Sequence, residues 1–402
     1  MRQILLLILV IVLVSCAQEK DKKLKVGVYH IELEVQDDEQ LAFNFEVTSD
    51  DKIKIFNAEE VIDVDQITYK NDSVYVNFSV YEGYFAAAFD GDNLKGNYIK
   101  ESLDRVVPFY AEYGNNIRFE TDEVPTVNFS GIWEMLFTED DGSTFIARGN
   151  FTQKDHKLTG NIRTTTGDYR YLEGVVNGDE AKFSAFDGAH AFLFTAKITN
   201  SEMQGAFYSG NHYKSTFTAI QNESYELPHE DSLTYLNEGF EKFEFNFPDA
   251  SNNMMSLKDE RFNNKVVLVQ IMGTWCPNCL DESTYFTNYY KENKALGLEI
   301  VALAFEYATT KEKAFAGIER LQKRLDIQYP ILLAQYGSSD KKEAQEKLPM
   351  LNHVLSYPTT IFIDKKGKVR KIHTGFNGPA TGEKFLSFQK EFDDFVQLLL
   401  AE

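Results

Sequence analysis

Cys276 and Cys279, separated by Pro277 and Asn278, are the residues whose types and spacing could do chemistry. They follow the run Val266–Met272, aliphatic but for Gln270 and the closing Met272, through the short stretch Gly273-Thr274-Trp275. A strand running into a helix here would put both thiols on the first helical turn, close enough to form and reopen a disulfide. Cys276 would face the unpaired N–H groups and the positive end of the helix dipole, which favour its thiolate. The thiolate is the attacking species in disulfide exchange, so Cys276 is the expected nucleophile and Cys279 the thiol that resolves the mixed disulfide. Pro277 is tolerated because a first-turn residue needs no amide hydrogen, and Trp275 would shield one side of the pair. A zinc site would require further ligands. The remaining cysteine, Cys16, stands at the far N-terminus, and His353 and His373 are isolated.

The elements around the pair alternate between strand and helix. Buried strands are expected at 266–272 and 299–305, with helices over 276–294 and 311–325. A short strand at 331–334 follows, then strands at 357–364 and 368–373 joined by a turn at Lys365-Lys366-Gly367, and a final amphipathic helix over 383–400. Glu306, at the end of the second strand, is a candidate general acid or base.

These residues carry a resemblance. Ser256-Leu257-Lys258-Asp259, Lys265-Val266-Val267-Leu268-Val269, the segment 273–279, Glu282, Tyr357-Pro358-Thr359, Gly367 and Gly375 make residues 245–402 similar to the TlpA/ResA-like branch of the thioredoxin superfamily. The resemblance implies an α/β thioredoxin fold and a thiol–disulfide oxidoreductase that needs no cofactor beyond its own dithiol. It implies that Pro358 is a cis-proline facing the disulfide and that the backbone of Tyr357 pairs with the substrate polypeptide. Pro277 and Asn278 would influence the redox potential and contact substrate. It also implies exported disulfide-bearing proteins as substrates, apocytochromes among them, with reductant from a membrane donor. Gln270 departs from the pattern, standing where thioredoxin itself has a buried acid.

The chain before this region reads differently. From 26 to 221, strand follows strand: Ser73-Val74-Tyr75-Val76-Asn77-Phe78 alternates, and turns such as Asp90-Gly91-Asp92-Asn93 and Asn177-Gly178-Asp179 punctuate the runs. A chain with 32 Phe and 21 Tyr suits half-buried pleated surfaces. Gly27-Val28-Tyr29 recurs as Gly131-Ile132-Trp133, 104 residues on, and Gly96 as Gly205, 109 residues on. A duplicated unit of this length suits a small antiparallel barrel or sandwich rather than a solenoid repeat. Two β-rich repeats are therefore expected at 26–122 and 127–221, a linker at 222–239 and the redox domain at 240–402. The histidines of the repeats, His30, His156, His190 and His212, have no metal-ligand spacing.

The first residues look like an export signal: Met1-Arg2-Gln3, then eleven aliphatic residues from Ile4 to Val14, then Ser15-Cys16. That run is too short to span a bilayer, which needs about 20 residues. Leu13-Val14-Ser15-Cys16 resembles the bacterial lipobox, so 1–15 is the expected signal peptide, Cys16 the lipidated residue and 16–25 a tether. The expected location is the cell envelope, lipid-anchored, facing the periplasm or at the outer membrane. With 62 acidic against 41 basic residues, the chain lacks the basic surface that nucleic acids demand. A competing reading makes the chain an envelope binding or assembly lipoprotein whose β repeats carry the main function.

Overall fold

A computed structural model of the protein describes residues 22–402. The expected signal segment, Cys16 and the first part of the tether lie outside the described residues. Three units follow one another: two antiparallel β sheets that curl into barrels, then an α/β unit.

In the first unit nine strands, from Gly27–Glu34 to Arg105–Tyr113, run as an antiparallel meander, and the first strand pairs with the last. The ring stays open at one seam, between Glu60–Val64 and Gln66–Lys70. Alternate residues such as Tyr29, Ile31 and Leu33 turn inward and are fully buried, as the period of two requires. The second unit repeats the plan from Gly131–Thr138 to Tyr213–Gln221, and here Thr144–Lys154 pairs with Lys157–Thr164 to close the ring. Closure removes the exposed edges that an open sheet must protect. Trp133, equivalent to Tyr29, is buried, and its indole N–H donates to Phe129 O at 2.8 Å. Gly96 and Gly205 occupy the matching strands Asn93–Lys100 and Glu202–Ser209, which bears out the duplication read from the sequence.

The barrels are joined by packing and by buried hydrogen bonds. Phe186 of the second unit enters the first core and stacks on Phe43 with ring centroids 4.5 Å apart. Asn57 exchanges two hydrogen bonds with the Phe186 backbone, at 2.9 and 3.0 Å. Beside it, buried Arg118 donates to Phe56 O, Asn57 Oδ1 and both oxygens of Ser184.

The α/β unit is a five-stranded sheet in the order Ile331–Gln335, Leu298–Phe305, Val266–Met272, Thr359–Ile363, Val369–Thr374. The first three strands are parallel and the last two antiparallel to their neighbours. Every residue of the central strand Val266–Met272 is buried, as befits a strand covered on both faces. Four helices, α1 (Pro277–Asn293), α2 (Lys311–Leu325), α3 (Lys341–Lys347) and α4 (Glu383–Ala401), accompany it. α4 seals one face with Phe388, Phe392, Val396 and Leu399, a helical stripe of buried residues. This is the thioredoxin-like architecture. Neither α3 nor the small hairpin Asn246–Pro248/Met254–Ser256 is expected from the local pattern.

Residues 222–239, expected as a linker, lie along the α/β unit. Asp231 pairs with His373 at 2.7 Å, Thr374 donates to Thr234 at 2.8 Å, and Leu236 bridges Leu351.

Candidate active site

The site forms where the central strand ends and α1 begins. Cys276 is the N-cap of α1, with Pro277 in the first turn. Its sulfur accepts the N–H of Cys279 at 3.2 Å and donates to Tyr357 O at 3.4 Å. Both cysteines are thiols, Cys276 only 7% exposed and Cys279 fully buried. Burial, followed by the hydrogen bond and charge of Cys276, pushes the Cys279 thiol well above its ordinary range. The peptide bond between Tyr357 and Pro358 is cis, and this segment lies directly against the dithiol.

Trp275 closes one side. Its indole N–H donates to Phe305 O at 2.9 Å, and its ring lies edge-on to Tyr357 and tilted against Tyr307. Asn278 turns away from the sulfurs and donates to the Asp168 carbonyl of the second barrel at 3.2 Å. Glu306 accepts from the Thr274 N–H at 2.8 Å and its hydroxyl at 2.7 Å, tying the loop before Cys276 to the neighbouring strand. Burial pushes Glu306 up to about 7.

A second buried acid, Glu282, acts electrostatically on Cys279. Glu282 follows Cys279 by three positions on α1, so the two share a helix face. Gln270 and Thr360, directly opposite each other in adjacent strands, each donate to one Glu282 oxygen at 2.8 Å. No cation offsets its burial, which pushes Glu282 up to about 8. Sequence alone assigns Glu282 no role. Its signal was the spacing from Cys279, together with a polar Gln270 inside an otherwise apolar strand. His353 and His373 hold Leu233 O and Asp231, remote from the sulfurs in their bonding.

Known proteins resemble this part of the chain. The Redoxin family matches residues 239–385. The thioredoxin-like protein YneN of Bacillus subtilis is 31% identical over 140 residues, 35% of this chain and 73% of that protein. The thiol-disulfide oxidoreductase ResA of the same species is 30% identical over 142 residues, 35% of this chain and 69% of that protein. Among solved structures, a thiol-disulfide oxidoreductase from Bacteroides fragilis is 20% identical, covering 37% of this chain and 99% of that one at a TM-score of 0.27. The curated relatives, the strand-to-helix dithiol and the thioredoxin-like sheet agree: the chain belongs to the ResA-like thiol-disulfide oxidoreductases of the thioredoxin superfamily.

Proposed function

We propose that the protein works outside the cytoplasm as a reductase or isomerase of disulfides in exported proteins, through Cys276 and Cys279. The observation that carries this reading is the paired placement of the thiols. Cys276 sits at the helix start with Cys279 N–H directed at its sulfur, and Cys279 is buried one turn behind it. The Cys276 thiolate attacks a substrate disulfide, forms a mixed disulfide and releases one substrate thiolate, which takes up a proton. Cys279 then gives up its proton and attacks the Cys276 sulfur. The second substrate sulfur leaves as a thiol, and Cys276–Cys279 becomes the oxidised pair. Two electrons pass to the substrate, and a membrane donor returns them. Glu282 is the proton carrier for Cys279: an acid poised near 8 can hold a proton at neutral pH and still exchange it. Pro358 and Tyr357 form the surface beside the attacking sulfur, Trp275 shields it, and Glu306 positions the loop through Thr274.

The envelope location rests on the apolar run 4–14 and the lipobox-like Leu13-Val14-Ser15-Cys16. Apocytochromes are among the expected exported substrates. A redox titration of the full chain, with free thiols trapped by an alkylating mass tag, tests the function. A reductant should show a two-electron couple near or below about −220 mV, whereas a value approaching about −120 mV would make it an oxidant. Absence of any reversible couple in folded protein would overturn the reading.

A further inference from the structure

The second barrel reaches into the redox site. Residues 165–166 form the turn between strand Lys157–Thr164 and the two-residue strand Gly167–Asp168, and this end of the barrel lies against the parts of the α/β unit that surround Cys276. Ser356, two residues before Pro358, donates its hydroxyl to Thr166 O at 2.7 Å. Asn278, between the cysteines, donates to Asp168 O at 3.2 Å. The Gly378 N–H donates to Asp168 Oδ2 at 2.7 Å. The backbones touch: a Cβ on Gly375 would come within 2.9 Å of the Thr166 carbonyl carbon, and one on Gly167 within 2.1 Å of Asn278 Nδ2. Both positions have positive φ, so glycine is required twice over.

An ion-pair hub fixes this contact. Arg170, buried, pairs with Asp281 on α1 at 2.8 Å, with Glu60 of the first barrel, and lies 3.7 Å from Asp187 of its own barrel. One guanidinium thus joins all three units, meeting α1 at Asp281, two positions past Cys279. From the first barrel, Val80 packs against both the α/β core and its own, and Leu280 of α1 does the same in return. Beside Trp275 a cavity of about 200 Å³ remains, lined by Glu82 and Ser102 on one side and Glu306, Tyr307 and Arg320 on the other.

We infer that segment 164–170 is a specificity-determining wall of the redox site. It fills the groove bounded by Asn278, Ser356 and Gly375 and closes that side of the dithiol to a bulky substrate. The inference rests on the dithiol function proposed above and narrows it. A disulfide must arrive on a slim segment; one set in a broad folded surface meets the second barrel first. Arg170 is a positioning residue, which holds the wall through Asp281 and touches neither sulfur.

The test compares the reduced full chain with its Arg170→Ala variant on two substrates, a small aromatic disulfide and native insulin. Arg170→Ala should raise kcat/KM for insulin at least about tenfold relative to the small disulfide, while the reduction potential stays unchanged. A folded variant with an unaltered ratio would overturn the wall. If the variant does not fold, alkylation of Cys276 in the wild-type chain decides. A maleimide on a long polyethylene glycol should be disfavoured against iodoacetamide at least about tenfold more in folded than in unfolded protein. Equal discrimination in the two states would overturn the wall. Failure of wild-type protein to reduce even the small disulfide would instead defeat the dithiol function itself.

Discussion

Two buried acids, Asp187 of the second barrel and Glu282 of the α/β unit, are treated oppositely. In the second barrel, burial alone would raise Asp187, yet His190 and Arg170 hold it down to about 2. Glu173, next to Arg118 and Lys157, is likewise held low against its burial. In the α/β unit Glu282 has two neutral donors and no cation, and burial prevails. A compensated buried charge joins units together, whereas an uncompensated one keeps a proton within reach of working pH. Neither burial nor a counter-charge decides alone: Asp281, paired with Arg170, is still pushed up to about 7, and buried Asp168 of the second barrel is raised as well.

Breaking the α/β side should have the largest effect. Cys276→Ser should lower turnover of any disulfide by at least about 10⁴-fold, measured as kcat/KM, because the other thiol among the described residues, Cys279, is fully buried. Glu282→Gln keeps the size and the Thr360 contact but cannot exchange a proton. Resolution of the mixed disulfide should slow by about 10²-fold or more in rapid-quench assays, with initial attack on the substrate little changed. On the β side, Trp133→Ala should cost about 3–5 kcal/mol in the urea unfolding of the barrels and leave the reduction potential where it was. A loss of redox chemistry on Trp133→Ala in folded protein would erase the contrast between the regions.

The pH dependence of stability sharpens the same contrast. Glu282 holds its proton up to about 8 in the folded chain, whereas an unfolded glutamate releases it in the ordinary carboxylate range. Stability from this group is complete below that range and is lost as pH rises toward about 8. Glu306 and Asp281, both pushed up to about 7, lose theirs earlier. Urea midpoints should therefore still fall between about pH 7 and 8 in wild type, and this last part should flatten in Glu282→Gln but not in Glu306→Gln. The smallest effect belongs to a cap: Thr310 accepts the Lys313 N–H at 3.3 Å, and Thr310→Ala should cost only about 1 kcal/mol.

Local signals explain what could be read in advance. The dithiol stood out because chemistry, turn and strand were contiguous in 266–279, and the barrels because alternation and paired glycines lie along the chain. α2 was legible over its whole length, since its apolar spacing and the turn beyond it are short-range features. Glu282 was harder to see, because a single carboxylate on an amphipathic helix looks solvated until Gln270 and Thr360 are folded over it. Least legible was the docking of the barrels onto the redox unit. Asn161 donates to Ala380 O and Ser356 to Thr166 O across 219 and 190 residues, and no periodicity encodes such contacts.

The central claim is that Cys276 attacks and Cys279 resolves. Reduced Cys279→Ser protein, mixed with a disulfide substrate and acid-quenched, should accumulate one mixed disulfide that peptide mass spectrometry places on Cys276. The Cys276→Ser protein should accumulate none on Cys279, the remaining thiol among the described residues, which is buried. A stable adduct on Cys279 in Cys276→Ser, formed as fast as that on Cys276, would contradict the account.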